Sequence, residues 1–147
     1  LTPSNTTAMV HYRLGEIQSK IIRDYEGSLF SYKSALDANP NAKLGKLIKS
    51  RIGELNLLSG NYARATEYFR TKNNQNIVDD NTIHYINSLL YSKNIDQPLS
   101  LLDTVIISIK PNHHFFNDLL EVHDLIIDYY SNGTRDDKVA FKEFFNA

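Results

Sequence analysis

The chain of 147 residues lacks cysteine and tryptophan and contains a single methionine. Without cysteine it cannot hold a disulfide framework, a thiol nucleophile or a thiolate metal site, and the redox compartment is left open. Long apolar runs are also missing. Stretches such as 105–109 are far too short to cross a bilayer, and no charged-then-apolar signal segment opens the chain. We therefore expect a soluble protein, cytoplasmic or periplasmic, with no membrane span. Because it begins at Leu1 rather than methionine, we also expect an excised or processed piece.

The local motifs that announce catalysis are absent from the sequence as well. No glycine-rich phosphate loop follows a strand, no nucleophile elbow occurs, and H-E-x-x-H is not present. The best candidate for a metal site is His114 with Asp118, one helical turn apart, but His113, Glu121 and His123 do not join them on that face. We therefore predict no catalytic residues, no metal and no cofactor, and a protein that is not an enzyme.

Charge is unevenly distributed along the chain although the net charge is only −1. Residues 1–72 hold eleven Lys and Arg against six Asp and Glu, and residues 73–147 hold five against eleven, so the two halves carry +5 and −6. Such asymmetry can mark differently charged binding surfaces, but a mixed solvated surface is the favoured interpretation. The basic stretch with Lys43, Lys46, Lys49 and Arg51 has no interleaved aromatics for stacking bases, and we expect no nucleic-acid partner.

Apolar residues recur with the period of an α-helix nearly everywhere. Two such stripes are Leu44, Ile48, Ile52, Leu55 and Leu119, Val122, Ile126. Polar, glycine and proline breaks divide the chain at short intervals. The pattern predicts an all-α fold with eight helices at roughly 7–22, 25–38, 42–58, 62–72, 81–92, 97–109, 113–131 and 135–146. Turns of two to five residues require neighbouring helices to pack as antiparallel hairpins.

Two stretches of the chain share a spacing that antiparallel hairpins require. Ser28 precedes Tyr32 by four residues, and Ala65 precedes Phe69 by four. A small residue that faces the partner helix lets the backbones approach, and an aromatic one turn later fills the space beyond. Pro40 then ends the first pair of helices, since proline cannot continue the backbone ladder.

In these positions the sequence resembles the tetratricopeptide repeat family. The first unit offers Leu14-Gly15, Asp24-Tyr25, Ser28, Tyr32, Ala35 and Pro40, and the second offers Ile52-Gly53, Gly60-Asn61-Tyr62, Ala65 and Phe69. The first unit has one extra residue before Asp24, which we expect to lengthen its turn. In the third unit Leu99 and Asp103 replace the small and aromatic residues, while Ala140 and Phe144 fit the pattern loosely in the fourth.

The resemblance implies an α-solenoid of antiparallel helical hairpins that forms one domain over 1–147, with units of roughly 8–41, 42–76, 80–111 and 112–147. It also implies a protein-interaction scaffold whose first helices line a concave groove for a peptide or a partner helix. By position, this groove contains Tyr12, Arg13, Glu16, Ser50, Arg51, Glu54, Asn81, His84, Tyr85 and Ser88. We expect Tyr and Arg to be the main anchors.

One subclass of the family binds a C-terminal carboxylate with a fixed set of Lys, Asn and Arg residues. This chain departs from that set, with Tyr12 and Glu16 in place of Lys and Asn, and Asn81 and Tyr85 in place of Lys and Arg. We therefore do not expect an adaptor for chaperone tails.

Two other interpretations stay open. The chain is either a structural segment or cap of a longer solenoid, whose exposed ends stack on further repeats or on a second copy, or a helical domain of a larger enzyme. The aromatic pairs Tyr129-Tyr130 and Phe144-Phe145 are expected to serve core and inter-repeat packing.

Overall fold

The computed structural model describes residues 3–70 and 78–145, which form eight α-helices and no strand. The all-α prediction is confirmed for this part of the chain. The helices are α1 Pro3–Ile17, α2 Tyr25–Asp37, α3 Ala42–Leu58, α4 Tyr62–Phe69, α5 Asp80–Tyr91, α6 Asp96–Ser108, α7 Phe116–Ile126 and α8 Arg135–Phe144. A π-helical turn follows α1 at Gln18–Ile22, and another follows α7 at Ile127–Ser131.

Most helix starts lie close to the predicted ones, because side chains next to them satisfy the first backbone N–H groups, but α1 begins at Pro3, four residues earlier than predicted. Asp24 accepts from the N–H of Gly27, and Asn41 from that of Leu44, both at 2.9 Å. Thr134 and Asp137 form a reciprocal capping box at the start of α8. The predicted ends at 71–72 and 146 lie outside the described residues. Helix α7 begins three residues later than predicted, because the chain from Lys110 to Phe116 forms hydrogen-bonded turns.

Contacts divide the chain into two compact units, Leu1–Phe69 and Arg70–Ala147. Unit 1 contains α1 to α4, and unit 2 contains α5 to α8. The division falls close to the boundary between the second and third predicted repeats. Each unit has its own hydrophobic core, so we describe them separately.

In unit 1, the small residues and aromatics of the predicted pattern pack as expected. Tyr32 and Phe69 are buried, and so are Ser28 and Ala65 one turn before them. A Cβ atom built on Gly15 would lie 2.6 Å from the Tyr32 ring, and one built on Gly53 would lie 2.7 Å from the Phe69 ring. Only glycine fits at these two contacts, which are equivalent in the two hairpins.

The core of unit 1 lies between its first three helices. The predicted stripe of Leu44, Ile48, Ile52 and Leu55 is buried along α3, together with Ala8, Tyr12, Tyr32 and Ala35 from the other helices. Polar groups inside the hairpin are satisfied: the Ser28 hydroxyl donates to the carbonyl of Gly15 at 2.9 Å. Apolar burial together with satisfied polar groups accounts for the stability of this packing.

The extra residue of the first hairpin does not lengthen its turn. Only Arg23 and Asp24 separate the π turn from α2, whereas three residues separate α3 from α4. The residue is accommodated within the π turn Gln18–Ile22, whose wider helical winding holds one more residue than an α turn. Arg23 then closes the end in the left-handed conformation, with φ of 60°. The expectation of a longer loop was therefore wrong.

The core of unit 2 uses residues from all four of its helices. Ile86 and Leu90 of α5, Leu102 of α6, and Leu119 and Ile126 of α7 are buried in it. Phe141 of α8 and Phe145, the residue after α8, pack against this cluster from its edge. The predicted stripe of α7 is therefore confirmed at Leu119 and Ile126, while Val122 is only partly buried.

The last predicted hairpin does not repeat the small-residue and aromatic contact of unit 1. Ala140 and Phe144 are both exposed, Phe144 to 75%. The loose match of Ala140 and Phe144 to the repeat pattern therefore does not correspond to a buried contact. The aromatics that pack inward are instead Phe141 of α8 and Phe145 directly after it.

A histidine links α6 and α7 on the surface of unit 2. His123 of α7 lies 3.1 Å from Asp103 of α6 through Nε2, and 3.0 Å from Asp124 through Nδ1. The hydrogen bond to Asp124 raises the pKa of His123 above 6.5. Partial burial acts in the opposite direction, while the bond to Asp103 adds to the increase.

No helix among residues 3–70 and 78–145 is both long and apolar enough to cross a membrane.

Candidate functional site

Five of the six groove residues predicted in unit 1 lie in one connected cluster on α1 and α3. Tyr12 and Glu16 are one turn apart on α1, and Ser50, Arg51 and Glu54 lie within two turns of α3. Residues three or four apart share a helix face, so two adjacent helices bring these side chains together. We call this set the α1–α3 cluster.

Arg51 joins the two helices of the cluster. Its Nη1 atom donates to Glu54 at 2.7 Å, and its Nε atom lies 3.2 Å from Oε1 of Glu16. Nε is shielded from solvent and, although close enough for an ion pair, is not aligned for a hydrogen bond to Glu16. The electrostatic attraction therefore acts without a directed bond at this atom.

Glu16 receives further hydrogen bonds from the Tyr32 hydroxyl and the Lys20 ammonium group. Burial alone would raise the pKa of Glu16, but the bonds from Lys20 and Tyr32 and the charge of Arg51 outweigh it and lower this pKa. Burial, together with the bond to Glu16, raises the pKa of Tyr32 to about 12. Both groups therefore keep one protonation state around neutral pH.

Arg51 also keeps its charge in the cluster. Burial would lower its pKa, but the hydrogen bond and charge of Glu54, with smaller effects from Tyr12 and Glu16, raise it instead. The cluster thus presents fixed charges and hydrogen-bonding groups: two carboxylates and one guanidinium, with Lys20 beside Glu16 as a second cation. This arrangement suits the recognition of polar groups better than the transfer of protons.

Tyr12 is not an exposed groove residue. Only 5% of it is accessible, because its ring packs 5.8 Å from the Tyr32 ring within the core of unit 1. Its ring is therefore not accessible as one of the anchors expected in the groove. Arg13, its neighbour, is exposed and places its guanidinium 5.8 Å from the centre of the Tyr12 ring.

The four groove residues predicted in unit 2 all lie on α5, but they differ in accessibility. Asn81, His84 and Tyr85 are partly exposed, while Ser88 is buried and donates to the carbonyl of Tyr85 at 2.8 Å. The Tyr85 hydroxyl accepts a hydrogen bond from Gln97 at 3.0 Å. Ser88 therefore supports the helix from inside and cannot be reached by a partner.

Unit 2 contains an apolar groove that sequence reasoning missed. It lies between α5, α7 and α8, with a volume of about 440 Å³. Its walls are apolar and aromatic, with Leu90, Tyr91, Leu125, Tyr129, Phe141 and Phe144 among the lining residues. Asp137 is the acidic residue among those that line it. We call this feature the α5–α8 groove.

In the sequence, the aromatic pairs Tyr129-Tyr130 and Phe144-Phe145 are the feature that points to this groove. In each pair one ring turns inward and the other outward: Tyr130 and Phe145 pack against the core, whereas Tyr129 and Phe144 are 55% and 75% exposed. The expectation that both pairs serve packing alone was wrong for the outward rings. Adjacent residues on a helix point about 100° apart, which lets the two rings of each pair face different surroundings.

The histidines considered as metal ligands do not converge. His114 is exposed and packs against the ring of Phe115, with the ring centres 3.9 Å apart. Within the ranges that the structure describes, no three His, Asp or Glu side chains come close enough to hold a metal ion.

Comparisons of the chain with protein-family models, with curated proteins and with solved structures find no match.

Proposed function

We propose that the chain is a protein-interaction scaffold that resembles tetratricopeptide repeats and acts by recognition rather than turnover. The observation that carries this proposal is the equivalent packing of its first two hairpins, where Gly15 meets Tyr32 and Gly53 meets Phe69. The same contact in successive hairpins is typical of a repeat architecture, whose first helices present a shared surface.

The surface proposed for recognition in unit 1 is the exposed side of α1 and α3. Arg13 is an exposed charged group on it, and Arg51 and Glu54 are partly accessible beside it. Tyr12 supports this surface from beneath through its contact with Arg13. Because Arg51 is already paired with two carboxylates, Arg13 is the group that an acidic residue of a peptide or partner helix would meet.

The burial of Tyr12 determines how the proposal must be tested. Replacing Tyr12 with Ala would remove a core side chain, and Arg51→Glu would place a third carboxylate beside Glu16 and Glu54. Both changes would destabilise unit 1, so a loss of binding would not identify the binding surface. Arg13→Glu reverses a charge on the surface and avoids this difficulty.

The test begins with a peptide-display library selected against the intact chain, followed by titration of an enriched peptide. We expect enriched peptides to contain acidic residues, and Arg13→Glu to weaken their binding about tenfold or more, because like charges then meet. Lys33→Glu, an exposed position on α2, makes the same charge change elsewhere in unit 1. It should alter affinity less than about twofold. Failure to enrich any peptide, or equal binding by both variants, would reject the proposal.

A second candidate function is that of a structural segment of a larger assembly. It is favoured by apolar surfaces on both units: the α5–α8 groove and the outer side of α1, where Val10, Leu14 and Ile17 are exposed. Extended apolar surfaces of this kind mark places where another protein packs.

A further inference from the structure

Helix α1 has two apolar faces, and only one of them is used inside unit 1. Ala8 and Tyr12 are buried on the inner face. On the outer face Val10, Leu14 and Ile17 are 62%, 45% and 46% exposed. Their spacing of four and three residues forms one continuous stripe. We call these three residues the α1 stripe.

The stripe has the form of a helix that binds in a groove. Apolar side chains at positions i, i+4 and i+7 are the usual anchors of such a helix. The apolar surface continues beyond α1 through Ile21 and Ile22 of the π turn, which are 75% and 63% exposed. Arg13 flanks the stripe, three residues after Val10 and four before Ile17, and it adds a cation at the edge.

The α5–α8 groove of unit 2 has the complementary form. Leu125, Tyr129 and Phe144 are exposed in its walls. Aromatic side chains such as the last two are common contacts for apolar anchors at protein interfaces. Its charged lining residue is Asp137. The ammonium groups of Lys138 and Lys142, on the same helix, lie 5.9 and 5.2 Å from the centre of the Tyr130 ring, which does not line the groove.

The net charges of the two units indicate which surface would bind in the groove. Unit 1 holds nine Lys and Arg against six Asp and Glu, a net charge of +3, and unit 2 holds seven against eleven, a net charge of −4. Residues 116–145, which supply two of the three groove walls, contain seven acidic and three basic side chains. Pairing unit 1 with unit 2 brings opposite charges together, whereas pairing like units brings together like charges.

We propose that the α1 stripe of one copy binds in the α5–α8 groove of a second copy, so that chains associate head to tail. Each junction uses one stripe and one groove, and every added copy brings a new stripe and a new groove. Such a heterologous contact forms either a closed ring or an open row of copies. The inference goes beyond the proposed recognition of partners, because its contact is formed by the α1 stripe and the α5–α8 groove. Of the predicted groove residues it involves Arg13 alone, at the edge of the stripe.

The test measures the molar mass of the intact chain by sedimentation velocity, from micromolar concentrations to about 1 mM, a range that detects weak association. We expect the mean mass to rise with concentration beyond that of a dimer or to reach that of a ring. We also expect a several-fold weaker association when salt is increased from about 0.05 to 0.5 M, because the charges are then screened. A monomer at every concentration would overturn the proposal and leave both surfaces to other partners.

Two blocking variants distinguish head-to-tail from symmetric pairing. Val10→Glu blocks the stripe and Phe144→Glu blocks the groove, and both positions are more than half exposed, so folding should be retained. Each variant alone should stay monomeric. Their equimolar mixture should form a dimer and stop there, because one intact stripe and one intact groove remain between the two chains.

The control for both variants is Phe30→Glu, which changes an equally exposed aromatic on α2 and should leave association unchanged. Circular dichroism checks the fold of each variant, and Ile21→Glu replaces Val10→Glu if that variant is unfolded. If the parent chain associates but the mixture does not dimerise, the contact is not head to tail. If association persists in either blocking variant alone, the assigned surface is wrong.

Discussion

Small side chains determine how closely the helices of unit 1 approach. Ser28 and Ala65 occupy equivalent places in the two hairpins, and each is buried one turn before a buried aromatic. The hydroxyl of Ser28 adds a hydrogen bond to Gly15, so this position combines small size with a satisfied polar group. Ala65 contributes small size alone, which makes it the simpler position to test.

We predict that Ala65→Leu lowers the free energy of unfolding by about 1–3 kcal/mol, because the added atoms overpack the contact between α3 and α4. Ala63→Leu, on the exposed side of the same helix, should change it by less than about 0.5 kcal/mol. Urea unfolding followed by circular dichroism measures both. Equal midpoints for the two variants would mean that the α3–α4 contact tolerates a larger side chain and that Ala65 is not required for it.

At the scale of the elements, pairs of helices are joined by polar groups as well as by apolar packing. In unit 1 the link between α1 and α3 is the attraction of Arg51 to Glu16, and in unit 2 the link between α6 and α7 is His123 with Asp103. The two links respond differently to pH. The first consists of groups that stay charged around neutrality, whereas the second contains a histidine that titrates above pH 6.5.

We predict that the contribution of His123 to stability is fully present below pH 6.5 and is lost as the pH rises through its higher folded-state pKa. Protonated His123 interacts with both aspartates, and the raised folded-state pKa means that the folded protein binds this proton more tightly than the unfolded chain does. The melting temperature of the parent should therefore exceed that of His123→Gln by more at about pH 5.5 than at about pH 9.

Added salt should reduce this difference, since both aspartates are largely exposed. An NMR titration of His123 gives the pKa directly. A value at or below 6.5, or a larger stabilisation at the higher pH, would contradict the prediction.

The sequence predicted those elements whose burial follows from periodicity. The buried stripe of α3 and the contacts of Tyr32 and Phe69 could be predicted, because the small, glycine and aromatic positions constrain one another within a hairpin. The burial of Tyr12, the π turn after α1 and the exposure of Phe144 were not. Each depends on which neighbouring helix a side chain meets, and spacing along one helix does not contain that information.

At the scale of the whole molecule, the described residues of each hydrophobic core come from one unit. Those of the cluster around Ile52 belong to α1 to α4 and their connections, and those of the cluster around Leu102 lie between Val78 and Phe145. A cavity in one cluster should therefore weaken that unit more than the other. Local opening of this kind is what amide hydrogen exchange detects.

We predict that Ile52→Ala, at a cost of about 2–5 kcal/mol, accelerates exchange mainly in peptides from unit 1, and that Leu102→Ala does so mainly in unit 2. Both side chains are fully buried in the parent, so the two variants control for each other. Hydrogen exchange with mass spectrometry locates the change. Equal acceleration in both units by either variant would show that the chain unfolds as one cooperative body.

The π turn at Gln18–Ile22 also has a consequence for how such a chain evolves. A residue inserted into an α-helix would rotate everything after it by about 100° and turn buried side chains toward water. Here the wider turn absorbs the extra residue within five positions, and the contacts of Ser28 and Tyr32 with Gly15 are kept. Single-residue insertions at this helix end are therefore compatible with the packing of the hairpin. Two hairpins can differ in length by a residue while the contact between glycine and aromatic ring stays the same.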